Sequence, residues 1–244
     1  MSHLPKILNA LSKLLSYPDE HTVQTAEMLY VLLMEELPEA ASEASAFGSL
    51  LDQRELHEFE EIFTRTFDVN PTCALEVGWH LFGEEYARGM FLVRMREELR
   101  KYDLPESAEL PDHLYHVLAI VGAMPEEEAT RFVKACVQPA VEKMNAALEG
   151  KDTHYGHVVS CLSLVLRHTW GGPVESTADA AAKGPNAFAS DPLRAFPVAD
   201  VMAGGASSCG EPLDLVPLTI GSSLGEYSNA ASGLHQTLAP TRRS

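Results

Sequence analysis

Two pairs of histidines carry a spacing with which proteins often bind a metal ion. His113 and His116 are three residues apart, as are His154 and His157, so both rings of a pair would lie on one side of a helix. Neither pair has the His-Glu-x-x-His pattern of zinc hydrolases, and the sequence dictates no third ligand. Because two ligands do not complete a site, we predict structural or solvent-facing roles and no metal site. A metal-dependent helical enzyme is the alternative interpretation.

Other catalytic chemistry has little support in the sequence. The serines and cysteines of the predicted helices lack the strained turn that activates a nucleophile, and no Gly-x-Gly-x-x-Gly or Walker loop is present. The four cysteines, Cys73, Cys136, Cys161 and Cys209, include no Cys-x-x-Cys spacing. That pattern favours free thiols over a disulfide framework or a zinc site. We therefore predict that the protein is not an enzyme and has no cofactor of its own.

Arg88 stands in an unusual local context. It lies about one turn into a helix that opens with Glu84 and Glu85, and Gly89 follows it directly. A glycine inside a helix costs about 1 kcal/mol relative to alanine, so it usually marks a close approach or a kink. One interpretation is that Arg88 pairs with a nearby acid while Gly89 lets two helices approach; a binding role is the other. Asp112 has the position of a helix N-cap, and capping alone would explain it.

The elements that must position these residues are helical. The apolar residues follow a helical period from Leu4 to about Trp170. This period predicts an all-α fold with a single helical-bundle domain of about eight or nine helices in two halves. Residues 105–111 contain two prolines and little apolar periodicity, so they are predicted to link the halves. The domain is placed at residues 1–171.

Several helix ends are predicted from single residues. Pro38 is expected to stop the second helix, because the residue before a proline avoids helical geometry. A helix over residues 73–82 is expected to end at Gly83, and Asp112 is expected to cap the helix after the linker. Pro139 lies inside a long predicted helix and should kink it, since proline removes one helical hydrogen bond.

The composition changes after Gly171 and Gly172. The remaining residues are rich in alanine, glycine, serine and proline, and they show no sustained period. Such a segment buries too little apolar surface to offset the entropy of an ordered chain. Residues 172–244 are therefore predicted to form a disordered C-terminal tail.

The net charge of −17 narrows the range of partners. It disfavours nucleic acid, which rewards clustered Lys and Arg, and anionic lipid surfaces. A strongly acidic surface suits solubility and attracts basic partners. The N-terminus shows no signal-peptide pattern, and the apolar stretch Leu114–Met124 is too short to cross a bilayer. We expect a cytoplasmic protein without stable membrane insertion.

Five short segments, in order along the chain, resemble the nitrate reductase delta-subunit family of cytoplasmic chaperones. They are the opening helix and turn at Leu14–Pro18, the Thr-Phe-Asp element within Phe63–Asp68, His80–Gly83, the acid and Arg-Gly within Glu84–Gly89, and Glu109–Leu114. The last contains the Glu-x-x-Asp-His element that is shared with the wider group of redox-enzyme maturation chaperones. A mild departure is the glutamate at position 84, where this family more often has aspartate.

The resemblance implies an all-α chaperone that binds the apo catalytic subunit of respiratory nitrate reductase. It would recognise unfolded or immature protein, keep that subunit competent for molybdenum-cofactor insertion and delay its membrane docking, as a step in nitrate assimilation. The expected ligand is the N-terminal segment of the subunit, which resembles a twin-arginine export signal. An alternative is a proofreading chaperone of another twin-arginine-exported molybdoenzyme, such as a trimethylamine-oxide reductase. The Thr-Phe-Asp and Arg-Gly elements favour nitrate reductase.

A groove for this peptide is predicted between the two helical halves, near residues 105–111. An amphipathic basic peptide can bury its apolar side in a helical groove while an acidic rim supplies steering and specificity. The predicted partner-binding residues all lie near helix ends or near the linker, and they are Phe67, Asp68, His80, Tyr86, Arg88, Asp112 and His113.

Overall fold

The computed structural model describes Met1 and residues 3–51, 54–150, 153–172 and 192–194. Within these ranges the chain forms helices and no strand, so the all-α prediction is confirmed. In chain order the elements are α1 (Leu4–Leu14), α2 (Thr22–Leu33), α3 (Pro38–Leu51), α4 (Leu56–Phe63), α5 (Val77–Phe82), α6 (Tyr86–Lys101), α7 (Leu114–Ala123), α8 (Glu126–Phe132), α9 (Gln138–Leu148) and α10 (His154–Trp170). A π-helical turn joins α8 and α9 into one continuous helix, so the described part has nine separate helices.

The core joins helices from both sides of the linker. On α1 the apolar period buries Ile7, Leu8 and Leu11, and each such side chain contributes roughly 1.5–3 kcal/mol relative to an exposed one. This helix packs against α2 and α7, while α3 packs against α2 and α10. Because α1 to α3 precede residues 105–111 and α7 and α10 follow them, the two halves share one core.

An aromatic cluster supports the end of α4. The Tyr155 ring lies 5.1 to 5.4 Å, between centroids, from the rings of Phe47, Phe63 and Phe67. Phe67 belongs to a π-helical turn, Thr64–Asp68, that continues α4. Aromatic pairs at these separations add roughly 0.5–1.5 kcal/mol each beyond their buried area. The cluster therefore fixes the turn that carries Phe67 and Asp68.

A second π-helical turn explains how Pro139 is accommodated. Val133–Val137 forms this turn between α8 and α9, and Pro139 follows in the first turn of α9. Because proline has no N–H to donate, a wider turn just before it lets the helix continue. A kink was predicted at Pro139, and the structure places a π-helical turn directly before it; the kink itself stays a prediction.

Three predicted helix boundaries are wrong. The second helix ends at Leu33, and Pro38 opens α3, where its missing N–H costs nothing. The fifth helix begins at Val77 instead of residue 73, since residues 74–76 are drawn into contact with the segment after the linker. The N-cap of α7 is His113, whose Nδ1 accepts a hydrogen bond from the Tyr115 N–H at 3.1 Å, and not Asp112.

The linker itself is non-helical and is tied down by side chains. Glu106 pairs with Arg96 at 3.2 Å, and the Ser107 hydroxyl lies 3.0 Å from His116 Nε2. Of the predicted tail, Gly172 and a single 3-10 turn at Pro192–Arg194, with Leu193 packed on the core, are described, and its other residues lie outside the described ranges. Among the described helices none combines the length and apolarity needed to span a membrane.

Candidate functional site

A short backbone pairing brings two distant segments side by side. The Val77 N–H donates to the Asp112 carbonyl and the Leu114 N–H donates to the Leu75 carbonyl, both at 2.9 Å. Together they form an antiparallel bridge between Glu76 and His113. The start of α5 and the start of α7 are therefore held together, and the linker ends at this junction.

Asp112 is fully buried at the junction. Its Oδ2 accepts a hydrogen bond from the Gly78 N–H at 3.1 Å. A Cβ atom added at Gly78 would lie 2.6 Å from that oxygen and 3.0 Å from Phe91 Cδ1. Real Cβ atoms do not approach other atoms so closely, so only glycine at position 78 allows the carboxylate to reach the backbone of α5.

Arg88 of α6 faces the same carboxylate. Its Nε lies 3.6 Å from Asp112 Oδ2, and its guanidinium carbon lies 5.5 Å from the centroid of the Trp79 ring. Within the described structure Arg88 Nε and Asp112 Oδ1 are buried without a hydrogen-bond partner. The ion pair is therefore close but incompletely satisfied, and the guanidinium also makes a cation–π contact with Trp79.

Burial governs the protonation of this junction. It raises the pKa of Asp112 to about 6; Arg88 opposes the shift, and the charge of Glu76 adds to it. Burial also lowers the pKa of His113 to about 4, with a further contribution from His116. At neutral pH the carboxyl group is predominantly charged and the imidazole of His113 is neutral. A neutral ring is consistent with Nδ1 acting as the acceptor in the α7 cap.

A cleft of about 450 Å³ opens beside the junction. Aromatic and apolar side chains form much of its wall, and they are joined by carboxylates, an arginine and a histidine. The lining residues are Tyr17, Phe63, Phe67, Asp68, Pro71, Ala74, Leu75, Glu76, Trp79, Arg88, Glu109 and His113. Trp79 is fixed by a hydrogen bond from its Nε1 to the Pro71 carbonyl at 2.9 Å. The cleft thus combines a fixed aromatic wall with charged groups.

Three carboxylates give the cleft a negative rim. Asp68 and Glu109 are exposed, and Glu76 is half-buried. Burial raises the pKa of Glu109, and repulsion from Glu76 and Asp68 raises it further. Glu76 and Asp68 thus disfavour the charged form of Glu109, and a bound cation would relieve that repulsion. The arrangement suits a ligand that presents apolar groups together with Lys or Arg.

The structure places the seven predicted residues in three different settings. Phe67, Asp68, Arg88 and His113 line the cleft, and Asp112 lies directly behind Arg88. His80 lies outside the lining, where its Nε2 is 2.7 Å from the Ala74 carbonyl and burial lowers its pKa. Tyr86 begins α6 with 85% of its surface exposed and does not line the cleft. Their role in binding a partner stays a prediction.

Eight of the twelve lining residues were not among the predicted ones. They are Tyr17, Phe63, Pro71, Ala74, Leu75, Glu76, Trp79 and Glu109. Tyr17 comes from the turn after α1, and Glu76, Trp79 and Glu109 surround the junction. Tyr17, Phe63 and Glu109 lie within the motif segments and Trp79 directly precedes His80, so the motifs could have identified these residues. For Glu76 no local pattern does so, because the fold alone brings it to the cleft.

The four histidines of the two spaced pairs have local partners. His113 caps α7, and His116 contacts the linker through Ser107. His157 Nδ1 lies 2.6 Å from Glu43 Oε2, and the His154 ring packs edge-on against Phe59. In the part of the chain that the structure describes, no group of three or more His, Cys, Asp or Glu side chains is arranged to hold a metal ion.

Comparison with known proteins links this region to one family. A family model described as the nitrate reductase delta subunit matches residues 32–159, more than half of the chain. All the cleft residues except Tyr17 fall within that stretch. The nitrate reductase molybdenum cofactor assembly chaperone NarJ of Escherichia coli (strain K12) is 27% identical over 165 residues, which cover 65% of this chain and 68% of that protein. The protein of the same name from Escherichia coli O157:H7 matches to the same extent.

Among solved structures, this chain is similar to one described as a redox enzyme maturation protein from Archaeoglobus fulgidus. The two superpose with a TM-score of 0.49 at 20% sequence identity. The superposition covers 68% of this chain and 96% of the other.

Proposed function

The chain belongs to the nitrate reductase delta subunit family, and we propose that it is a chaperone for assembly of the molybdenum-containing catalytic subunit of nitrate reductase. It binds the apo subunit in the cytoplasm and holds it competent for cofactor insertion before the subunit docks at the membrane. The molybdenum cofactor is the cargo of the client and not a resident group of this chain. The chain has no catalytic role.

The proposal rests on the side chains that line the cleft, which are both aromatic and acidic. It places aromatic rings of Phe63, Phe67 and Trp79 beside the carboxylates of Asp68 and Glu109. A signal-like N-terminal peptide is apolar on one side and carries basic residues, so it matches both features. Apolar contacts then provide most of the affinity, while the acidic rim accelerates encounter and selects against acidic peptides.

The buried junction gives the cleft its shape. The Glu76–His113 bridge and the Asp112–Gly78 hydrogen bond fix the starts of α5 and α7, and Arg88 stands between Asp112 and Trp79. A peptide that enters the cleft therefore meets a preformed wall, and little ordering of the chaperone is needed on binding. His113 presents a neutral ring to the same wall.

A peptide titration tests the site. We expect the full chain to bind a synthetic peptide of the catalytic subunit's first residues, measured by calorimetry. Replacing both exposed rim carboxylates, Asp68→Asn with Glu109→Gln, should raise the Kd about tenfold, which corresponds to about 1.4 kcal/mol. The matched control, Glu84→Gln with Glu85→Gln, removes two exposed acids outside the cleft and should change Kd less than twofold. Equal effects of the two double variants would contradict the cleft as the binding site.

A pull-down from the native host identifies the client. The tagged full chain should capture the apo catalytic subunit of nitrate reductase, and less of it when the rim carboxylates are replaced. Capture of the catalytic subunit of a different molybdoenzyme would instead favour a proofreading chaperone for that enzyme.

A further inference from the structure

The outer face of α2 is apolar although it is exposed. Val31 is 62% exposed, with Met28 and Met34 (both 47%) three residues before and after it, and Tyr30 is 38% exposed at the edge. Residues three and four apart are neighbours on a helix surface, so these side chains form one continuous patch. The opposite side of α2 already buries Ala26, Leu29 and Leu33, and among the residues that the structure describes none covers the outer patch.

Exposed carboxylates flank this patch, and the sequence on either side of it contains no Lys or Arg. Glu27 and Glu35 lie four residues before and after Val31, both exposed, and no ion pair to either occurs within the described structure. Between Lys13 and Arg54 the sequence contains no Lys or Arg. It contains eight acids over that interval, Asp19, Glu20, Glu27, Glu35, Glu36, Glu39, Glu43 and Asp52.

A second exposed apolar stripe, on α6, differs from the α2 patch in the charged residues of its helix. On α6, Tyr86, Met90 and Val93 are also exposed, at 85%, 41% and 54%. Arg94 and Arg96 lie on the same helix and pair with Glu97 and Glu106. The α6 stripe therefore has arginines on its own helix, whereas α2 has an exposed glutamate, Glu27, and no Lys or Arg.

From this geometry we infer that the outer face of α2 is a second docking surface, which binds a basic amphipathic helix of a partner protein. The partner's apolar side covers Met28, Val31 and Met34, and its Lys or Arg residues reach Glu27 and Glu35. Methionine suits such a surface because its flexible, polarisable side chain adapts to different partners. A second copy of this strongly acidic chain is repelled by the same charges. No residue of α2 lines the cleft, so the two surfaces are separate.

A designed peptide tests the inference on the full chain. The probe is a helix of about five turns, or about 18 residues, with leucines on one face and lysines on the other; a leucine–glutamate peptide of the same pattern is its control. Because the cleft also suits such a probe, calorimetry should detect two binding events for each chain. Val31→Gln with Met34→Gln should remove one event or weaken it at least tenfold. Glu27→Gln with Glu35→Gln should weaken the same event several-fold and reduce its salt dependence.

Matched variants separate the possible outcomes. Met90→Gln with Val93→Gln on α6 should leave both events unchanged, and Asp68→Asn with Glu109→Gln should affect only the cleft event. The inference is overturned if the α2 variant leaves both events intact, if the α6 variant acts equally, or if the leucine–glutamate peptide binds as well. It is also overturned if the α2 variant abolishes a dimer in light scattering, or abolishes binding to phosphatidylglycerol vesicles. Failure of the cleft variant alone would contradict the proposed peptide cleft and leave the α2 surface standing.

Discussion

Two carboxylate–arginine pairs connect distant parts of this chain, and they are built in opposite ways. Asp112 and Arg88 are 0% and 22% exposed, 3.6 Å apart, and each has a buried atom without a hydrogen-bond partner in the described structure. Glu142 and Arg167 are 26% and 50% exposed and make two hydrogen bonds, at 2.9 and 2.6 Å. Ser163 adds a third to the same carboxylate at 3.0 Å.

The pKa values of Glu142 and Asp112 shift in opposite directions on folding. The hydrogen bonds from Arg167 lower the pKa of Glu142 and outweigh its partial burial. Burial dominates at Asp112, so its pKa rises despite the nearby arginine. The Glu142–Arg167 pair between α9 and α10 stabilises the charged form of its carboxylate. At the Asp112–Arg88 pair beside the cleft, folding disfavours the charged form of the carboxylate, although Asp112 is predominantly charged at neutral pH. A destabilising charge at a candidate binding site is typical of a group retained for function.

The largest predicted effect is a pH dependence carried by Asp112. Its pKa rises from 3.8 to about 6 on folding, so the folded state binds the proton more tightly. The stabilisation from protonation is complete below about pH 4 and is lost as the pH rises through about 6. At about 1.4 kcal/mol per pKa unit this amounts to about 3 kcal/mol. The Asp112→Asn variant, neutral at every pH, should gain that much over the wild type between about pH 4 and about pH 7.

Urea unfolding at several pH values measures this difference. The free energies of unfolding of Asp112→Asn and the wild type should converge in acid and diverge toward neutral pH. A difference in free energy of unfolding that stays constant across this pH range would show that the charge of Asp112 does not destabilise the folded protein. Peptide affinity in the same variant tells whether the charge serves the cleft: a stable variant that binds the peptide poorly would support that role.

A smaller effect is predicted at the glycine that contacts Asp112. Gly78→Ala should lower the free energy of unfolding by about 2 kcal/mol, because the new Cβ would lie 2.6 Å from Asp112 Oδ2. Gly89→Ala on α6 is the control, since apart from its chain neighbours and the backbone of its own helix no heavy atom lies within 4 Å of the added Cβ, and it should stabilise the chain by up to about 1 kcal/mol. Thermal unfolding of both variants measures the contrast. Equal changes would mean that the Asp112 junction tolerates a methyl group.

The apolar period was sufficient to predict most of the helices. α1 and α10 bury most of the residues that their period selects, because a helix with one apolar face has only one way to bury it. The kink predicted at Pro139 falls next to a π-helical turn, which the sequence did not predict. Which face of a helix is apolar depends on residues that are close together in the chain, so a local sequence pattern is enough to predict it.

The junction could not be predicted in the same way, because its contacts join residues far apart in sequence. Asp112 has the local context of an N-cap, but its carboxylate is drawn to the Gly78 N–H, 34 residues away, and His113 takes over the cap. The late start of α5 has the same origin, since Leu75 and Val77 bond to the backbone beyond the linker. Local propensity was overridden by tertiary pairing at both places.

Only some of the motif residues lie at the cleft, again because a local pattern does not determine three-dimensional contacts. Motif residues such as Arg88 and His113 line the cleft. In contrast, the His80 ring contacts the Ala74 carbonyl through Nε2, and Tyr86 extends into solvent. A motif marks a region of the chain, but the direction of each side chain depends on its helix phase. Tyr86 and Arg88 are two residues apart on α6, so they point to different sides.

The smallest effect is predicted for the Glu142–Arg167 pair, and its sign is opposite to that at Asp112. Glu142→Gln should lower the free energy of unfolding at neutral pH by less than about 1 kcal/mol, because Arg167 is half exposed and solvent screens the pair. The pKa of Glu142 is lowered on folding, so the stabilisation is present above the ordinary value of 4.5 and disappears as the pH falls below it. Urea unfolding should therefore show the Glu142→Gln deficit shrinking in acid, while the Asp112→Asn advantage shrinks over the same change. A Glu142→Gln deficit as large as the effect at Asp112 would mean that the exposed pair, and not the buried junction, dominates the electrostatics of this fold.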